Sequence, residues 1–433
     1  MAGPPRHNTK LRFLIAQAGF TGEELARTVN ALGRECGIDL HYRRASVGQW
    51  QAGTRPRPPV PELIAEALTR RLGRPVTPTD AGFDQDGPPA EPPGSTGIDV
   101  RRLHETAAVY RLAEPREAAE SVSGATLLTP AAGRSRVGTV HAHYVDDMTS
   151  LFSLSDGLAG SGAVLPALTT FCTVSALPWL NEAGSASARR ALQLACSRLT
   201  YLGGALQADQ GRHGTAQYWY RLAADLAAEG GSPHTLAVVT RALSLQAHHL
   251  GHRDAALQLA ERAGSLAVSA APRTRAFLEG QLALTLAGAG RRHEAVRAVR
   301  RAERWLERAD PRIPAVGAYH PAALAYQRAE VRRLLGDGQG AVGDLRLSVE
   351  VRPATEPRAQ ALVLARLGEL TLAGGDLEGA CASWESFLTA RAGLLSRRVD
   401  EAHRLMRDLL APHRRNPAAA RLLLPRQKQG GRN

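Results

Sequence analysis

"GHRDAALQLAERAGSLA", residues 251–267, opens on Gly251, places Ala256 five residues later and Ala263 twelve later, and follows Ser244 seven residues upstream. Glycine adopts the left-handed conformation that ends a helix, so the stretch reads as a helix stop, a turn and a new helix. Small residues at fixed distances on both sides of the turn let two antiparallel helices approach closely. The same pattern recurs at Gly211/Ala216, Gly290/Ala295, Gly336/Ala341 and Gly375/Ala380. Gly204, Ala283, Ala329 and Gly368 stand seven residues before those glycines, and Ala223, Ala302, Ser348 and Phe387 twelve after. Tyr220 and Trp384, nine after their glycines, are placed to fill the gaps left by small neighbours. Self-similarity at a period near 40 predicts a helical solenoid from about 187, closed by the stretch "VDEAHRLMRDLLA", residues 399–411.

Working outward, the chain has 433 residues, 44% of them hydrophobic and only 5% aromatic, which predicts a mostly helical chain of two or more domains. Its net charge of +13 is concentrated at the ends. Residues 1–83 carry 12 Lys/Arg against 7 Asp/Glu, and residues 414–433 carry 6 against none, whereas 84–413 are almost balanced at 36 against 34. A basic N-terminal region suits an anionic partner such as nucleic acid. The four cysteines show no CxxC spacing, so reduced thiols are expected. No secretory apolar segment stands at the start, and no apolar run reads as long enough to cross a bilayer, so a cytoplasmic location is expected.

Residues 9–73 carry four short helical patterns. The first has Leu11, Leu14, Ile15 and Ala18 on one face; the second starts with Thr21 and Glu24 in capping-box spacing. The third, within "ASVGQWQAGTRPRPP" (45–59), turns Val47 and Trp50 inward, leaves Ser46, Gly48 and Gln49 outward, and stops at Gly53 before an Arg-Pro run. The fourth, 61–73, buries Leu63, Ile64, Ala67 and Leu68.

The motifs "TGEELA" (21–26), "SVGQWQAGTRPRP" (46–58) and "LIAEALTRRLG" (63–73) resemble the lambda-repressor/Cro-like (XRE) helix-turn-helix family. That resemblance implies a DNA operator as partner, with the third helix in the major groove. Arg43, Arg44, Ser46 and Gln49 would face base edges or flanking phosphates, and Thr21, Arg55 and Arg57 the DNA backbone. Two departures stand out: Gly22 where the family often has Gln, and a long connection, "GRECGIDLHYRR" (33–44), where it has a tight turn. The five-fold Gly/Ala spacing in turn resembles the tetratricopeptide repeat (TPR), and the chain as a whole is similar to actinobacterial regulators that join these two modules.

The expected fold is therefore all-α: a helix-turn-helix bundle (1–83), a Pro/Gly-rich linker (84–98), a helical connecting region (99–186), a TPR-like solenoid (187–413) and a disordered basic tail (414–433). In the connecting region, helical stretches are expected near 99–120. "HAHYVDDMTSLFSLSD" (141–156) reads as amphipathic, with Tyr144, Met148, Leu151 and Phe152 on one side. The TPR resemblance puts Arg198, Tyr201, Asp209, Arg241, His248, Phe277, Tyr326, Glu330 and Arg333 on a groove that would take a peptide or protein ligand. Residues 187–413 lack Asn, which is the residue that clamps extended peptides in peptide-pheromone receptors of similar design. His248, His249 and His252 cluster at a helix end and His141/His143 form an HxH, but a metal site needs convergent ligands with supporting second shells, so no metal or other cofactor is expected. No phosphate-binding loop, nucleophile elbow or zincin motif occurs, and an enzyme is not expected. The function these features imply is a sequence-specific, homodimeric DNA-binding transcriptional regulator whose solenoid senses a ligand. The alternative is a TPR adaptor whose N-terminal bundle docks protein instead of DNA.

Overall fold

The computed structural model describes residues 7–83, 98, 100–105, 108–112, 137–310 and 319–424. The linker 84–97, residues 113–136 and the last residues, 425–433, lie outside the described residues. Among those described the chain is all-helical, with one isolated bridge, Val137 to Ala183, and no strand. It divides into two compact units: Met1–Thr149 with Leu165–Leu266, and Ser150–Val164 with Ala267–Asn433.

The first unit begins with a four-helix bundle: α1 (Thr9–Ala18), α2 (Gly22–Glu35), α3 (Arg44–Gln51) and α4 (Val60–Leu72). Its boundaries follow local chemistry. Asn8 accepts from the Leu11 amide at 2.9 Å to start α1, and Gly19 ends it at φ 63°. Thr21 and Glu24 form a reciprocal capping box at the start of α2, with bonds of 3.1 and 2.8 Å. Leu11, Leu14, Leu25, Val29, Val47, Trp50, Leu63, Ile64 and Leu68 make one buried core. Among the described residues between the bundle and residue 113 only α5 (Val100–Leu103) is helical, so the helices expected near 99–120 are not formed at 104–105 and 108–112, and 113–120 lie outside the described residues. Residues 103–105 and 108–111 instead cross the solenoid as a strap whose backbone is bound by side chains. The Trp219 indole donates to Leu103 O at 3.2 Å, Thr215 to Glu105 O at 2.6 Å, and the Gln217 amide bonds both backbone groups of Arg111.

Next come α6 (Thr139–Ala159), α7 (Ser161–Phe171), a π-helical turn (Cys172–Ala176) and α8 (Leu177–Glu182). The stretch Ser161–Glu182 is, by length and composition, apolar enough to cross a membrane, with mean hydropathy 1.5 over a window that is 44% buried. Pro166 and three threonines dilute it, so it does not show as an uninterrupted apolar run in the sequence. On α6 the four residues read as one face are split. Phe152 is buried and Met148 half-buried, while Tyr144 and Leu151 are 50% and 53% exposed.

The solenoid consists of helix pairs. In the first unit α9 (Ala186–Asp209) packs on α10 (His213–Glu229), and α11 (Pro233–His249) on α12 (Arg253–Leu266). In the second, α13 (Pro272–Gly288) packs on α14 (Arg292–Glu307), α15 (Pro321–Leu334) on α16 (Gly338–Glu350), and α17 (Pro357–Ala373) on α18 (Leu377–Ala390). The turn glycines 211, 251, 290, 336 and 375 all lie at positive φ, between 71° and 89°. The alanine five residues after each is fully buried. Close approach is why the small residues are small: a Cβ on Gly204 would meet the Tyr220 ring at 2.6 Å, and one on Gly368 the Trp384 indole at 2.5 Å. Ser244 keeps its hydroxyl bonded to Ala256 O at 2.7 Å across the pair. Helix α19 (Arg397–Leu410) closes the stack, burying Val399, Met406 and Leu410. The basic tail is ordered at its start: α20 (Pro417–Leu423), capped by Asn416, buries Ala419 in the same core.

Candidate nucleic-acid interface and groove

Helix α3 is divided by its environment. Val47 and Trp50 are 1% and 3% exposed, and the Trp50 ring meets Tyr42 edge-on at 5.0 Å. Arg43, Arg44, Gly48, Gln49, Arg55 and Arg57 are exposed, and Ser46 is half-buried, its hydroxyl accepting from the Arg43 amide at 3.4 Å. Five of the seven residues expected to meet DNA thus present side chains to solvent around one short helix and the segment that follows it. Thr21 is exposed too, but its oxygen is engaged in capping α2. The same bonds hold the Glu24 carboxyl below its usual range, so this end of α2 carries a carboxylate beside the hydroxyl.

Both departures from the family pattern have a structural reason. A Cβ on Gly22 would lie 3.3 Å from Arg44 Cγ and 3.9 Å from Val47 Cβ, so a small residue lets the start of α2 rest on the start of α3. The long 33–44 connection is packed: Ile38, Leu40 and Tyr42 lean on the bundle core. The Asn30 side chain both donates to Tyr42 O and accepts from Tyr42 N, each at 2.9 Å. This pair of hydrogen bonds, which sequence reasoning missed, fixes the backbone immediately before Arg43 and so the entry to α3.

The bundle is joined to the solenoid by a buried polar cluster. The Arg70 guanidinium donates to both Glu35 oxygens at 3.0 and 2.8 Å and to Glu66 Oε1 at 2.8 Å. The same Glu66 oxygen lies 3.0 Å from His252 Nε2, with Glu66 4% exposed and the His252 side chain fully buried. Tyr110 stacks on His252 at 5.3 Å, and burial raises its phenol well above the usual range. Beside this cluster is a crevice lined by Glu35, Glu66, Arg70, Tyr110 and His213, with room for about one water. Sequence reasoning grouped His252 with His248 and His249; its fixed partner is instead a carboxylate 186 residues away. Among the described residues no three metal-ligating side chains converge.

The expected groove residues fall into both units. In the first, Arg198 is exposed and bound to both Asp146 oxygens of α6 at 2.7 Å. Asp209 and Arg241 are 3% and 8% exposed, and His248 is half-buried, 6.1 Å from the His249 ring. Tyr201 lies 6.0 Å from Tyr220; burial raises its phenol and the nearby Arg241 charge opposes that rise. In the second unit Phe277 is buried against Tyr319 at 5.1 Å. Tyr326, Glu330 and Arg333 on α15 meet Arg366 and Glu369 on α17, two participants the sequence reading missed. Glu330 binds Arg333 at 2.9 Å and Arg366 at 3.0 Å, and burial raises the Glu369 carboxyl against the pull of Arg366. These charges are mutually matched, so the cluster offers hydrogen bonds and an aromatic face more than net charge.

Residues 11–84 match the family model described as the SP15 N-terminal domain, a different family from the lambda-repressor/Cro-like one that the motifs resemble. No curated protein matches the chain. Among solved structures, the crystal structure of BtubC (BKLC) from P. vanneervenii is similar over 55% of this chain and 91% of its own, at 16% identity and a TM-score of 0.35.

Proposed function

We propose that the chain is a cytoplasmic, sequence-specific DNA-binding transcriptional regulator of the helix-turn-helix plus TPR type, acting as a homodimer. Helix α3 is the reading helix, and the solenoid takes a peptide or protein ligand. The observation that carries this reading is the division of α3: Val47 and Trp50 anchor it in the core while Arg44, Gly48 and Gln49 stand outward, flanked by exposed Arg43, Arg55 and Arg57. Arginine and glutamine forks suit guanine and adenine edges in the major groove. The absence of a side chain at Gly48 would let the helix approach the base pairs. Self-association is supported by α6, where Val140, Tyr144, Leu151, Leu154 and Leu158 are each at least half exposed at alternating spacings of three and four, or multiples of them. That is the seam period of paired helices.

The test is selection of duplex DNA from a random pool by the full chain at near-physiological salt. An inverted repeat with half-sites one or more helical turns apart is the expected result. The Arg43→Ala, Arg44→Ala, Gln49→Ala triple variant should then lose at least about 100-fold in affinity for the selected site while keeping its helical circular dichroism. Retained preference in that variant would remove α3 from the recognition role, and no selected motif at all would favour the adaptor reading.

A further inference from the structure

Helix α14 differs from its counterparts in the solenoid. The second helices of the other pairs, α10, α12, α16 and α18, carry zero or negative formal charge, whereas Arg292–Glu307 carries five Arg against three Glu, and Arg308 follows it directly. Its buried side is made of Ala295, Ala298 and Ala302. Two of its charged residues are committed to neighbouring helices: Arg301 binds Glu279 at 2.9 Å and Glu303 accepts from Arg328 at 2.8 Å. Arg297, Arg300, Arg304 and Arg308 are exposed, and among the described residues none of the four has a carboxylate at ion-pair distance. At 3.6 residues per turn they fall within an arc of about 80°, with the exposed His293 on the same line. Glu294 beside them is held by Arg291 at 2.5 Å, which leaves Glu307 as the acidic group at this edge. At the C-terminal end the Trp305 ring is flanked by Arg275 at 4.0 Å and Arg308 at 5.2 Å, stacking that holds the guanidinium planes in place.

From this stripe we infer that α14 is a second, sequence-independent contact for the phosphate backbone of double-stranded nucleic acid. The four guanidiniums span about 17 Å along the helix at intervals of about 4.5–6 Å. Along the duplex axis the phosphates of one strand rise by about 3.4 Å each, so the arginine spacing is of the same order as that of the phosphates. Arginine is suited to the task because its planar fork binds phosphate oxygens in pairs and is weakly hydrated. Among the described residues of α14 the one exposed large apolar side chain is Val296, at 38%. The choice of nucleic acid as the polyanion rests on the regulator reading of the N-terminal bundle.

The experiment measures binding of the full chain to a fluorescent 30-base-pair duplex of arbitrary sequence from 50 to 300 mM salt. The Arg297→Ala, Arg300→Ala, Arg304→Ala, Arg308→Ala variant should bind at least 10-fold more weakly at 100 mM, with the slope of log K against log salt reduced by about 3–4. The corresponding four-lysine variant should restore the slope, which a purely structural role would not predict. An unchanged slope in the alanine variant overturns the inference, and it is also the outcome if the stripe serves an acidic protein. If the alanine variant loses helicity, Arg300→Glu alone should still lower the slope by about 1–2, and a null result there overturns it equally. The bundle triple variant separates the two readings. If it keeps wild-type sequence preference, α3 is misassigned whatever α14 does. Loss of preference with an unchanged α14 slope leaves the regulator and removes only the stripe.

Discussion

Asp225 lies on α10, one turn after Arg221 and one turn before Glu229. Burial and the Glu229 charge push its carboxyl up to about 7, against a smaller opposing effect of Arg221. Glu229 is itself fixed by the Gln193 amide at 2.8 Å, so the acidic neighbour does not swing away. A carboxyl raised in the folded state holds its proton longer than in the unfolded chain. Stability therefore falls as pH rises from about 4 to about 7, and levels off above that. Asp225→Asn removes the penalty. The variant should match the wild type near pH 4 and exceed it by about 1–3 kcal/mol at pH 8 in urea unfolding. A constant difference across that range would mean that Asp225 is ionised throughout. The same scale shows what sequence makes legible at single positions. Val47 and Trp50 were readable as anchors because three-residue spacing alone puts them on one side. The hold of Asn30 on the Tyr42 backbone was not, since nothing in an Asn twelve residues upstream marks its partner.

Among elements, α6 is the instructive case. Both of its faces are apolar: Ala142, Val145 and Phe152 are buried, while Val140, Tyr144, Leu151, Leu154 and Leu158 are at least half exposed. A helix with apolar residues on two sides has no single period to read, and grouping Tyr144, Met148, Leu151 and Phe152 mixed the two sides. The repeat helices were legible for the opposite reason. A left-handed glycine, a buried alanine five residues on and a small residue seven before are all local requirements of one tight turn and one close crossing. The strap of residues 103–105 and 108–111 was illegible because its bonding partners, Thr215, Gln217 and Trp219, are more than a hundred residues away. If the exposed face of α6 pairs two chains, Leu151→Glu with Leu158→Glu should convert a dimer to a monomer in sedimentation. Both leucines are about half exposed, so the change in helicity should be negligible. A dimer that survives both charges would place self-association elsewhere.

At the scale of the whole molecule, the bundle and the first two helix pairs belong to one compact unit, so the proposed reading helix sits in the same unit as part of the proposed sensor. The connection is specific. Glu66 on α4 binds Arg70 within the bundle and His252 at the α11–α12 turn, and Tyr110 on the strap covers the imidazole. A buried carboxylate with two donors is stable only while both stay, because an uncompensated acceptor in a dry site costs about 1–3 kcal/mol. A ligand that shifts the α11–α12 turn would therefore act directly on α4, whose Leu63, Ile64 and Leu68 pack in the same core as Val47 and Trp50. His252→Ala removes one donor and the ring beneath Tyr110 while leaving every exposed α3 side chain in place. It should speed amide exchange through residues 60–72 by about 10–100-fold, corresponding to roughly 1.5–3 kcal/mol of lost local stability. Exchange in α17 and α18, which belong to the other unit, should not change. If α4 exchanges at the wild-type rate in the variant, the Glu66–His252 contact does not hold the bundle to the solenoid, and any signal between them must travel through the strap.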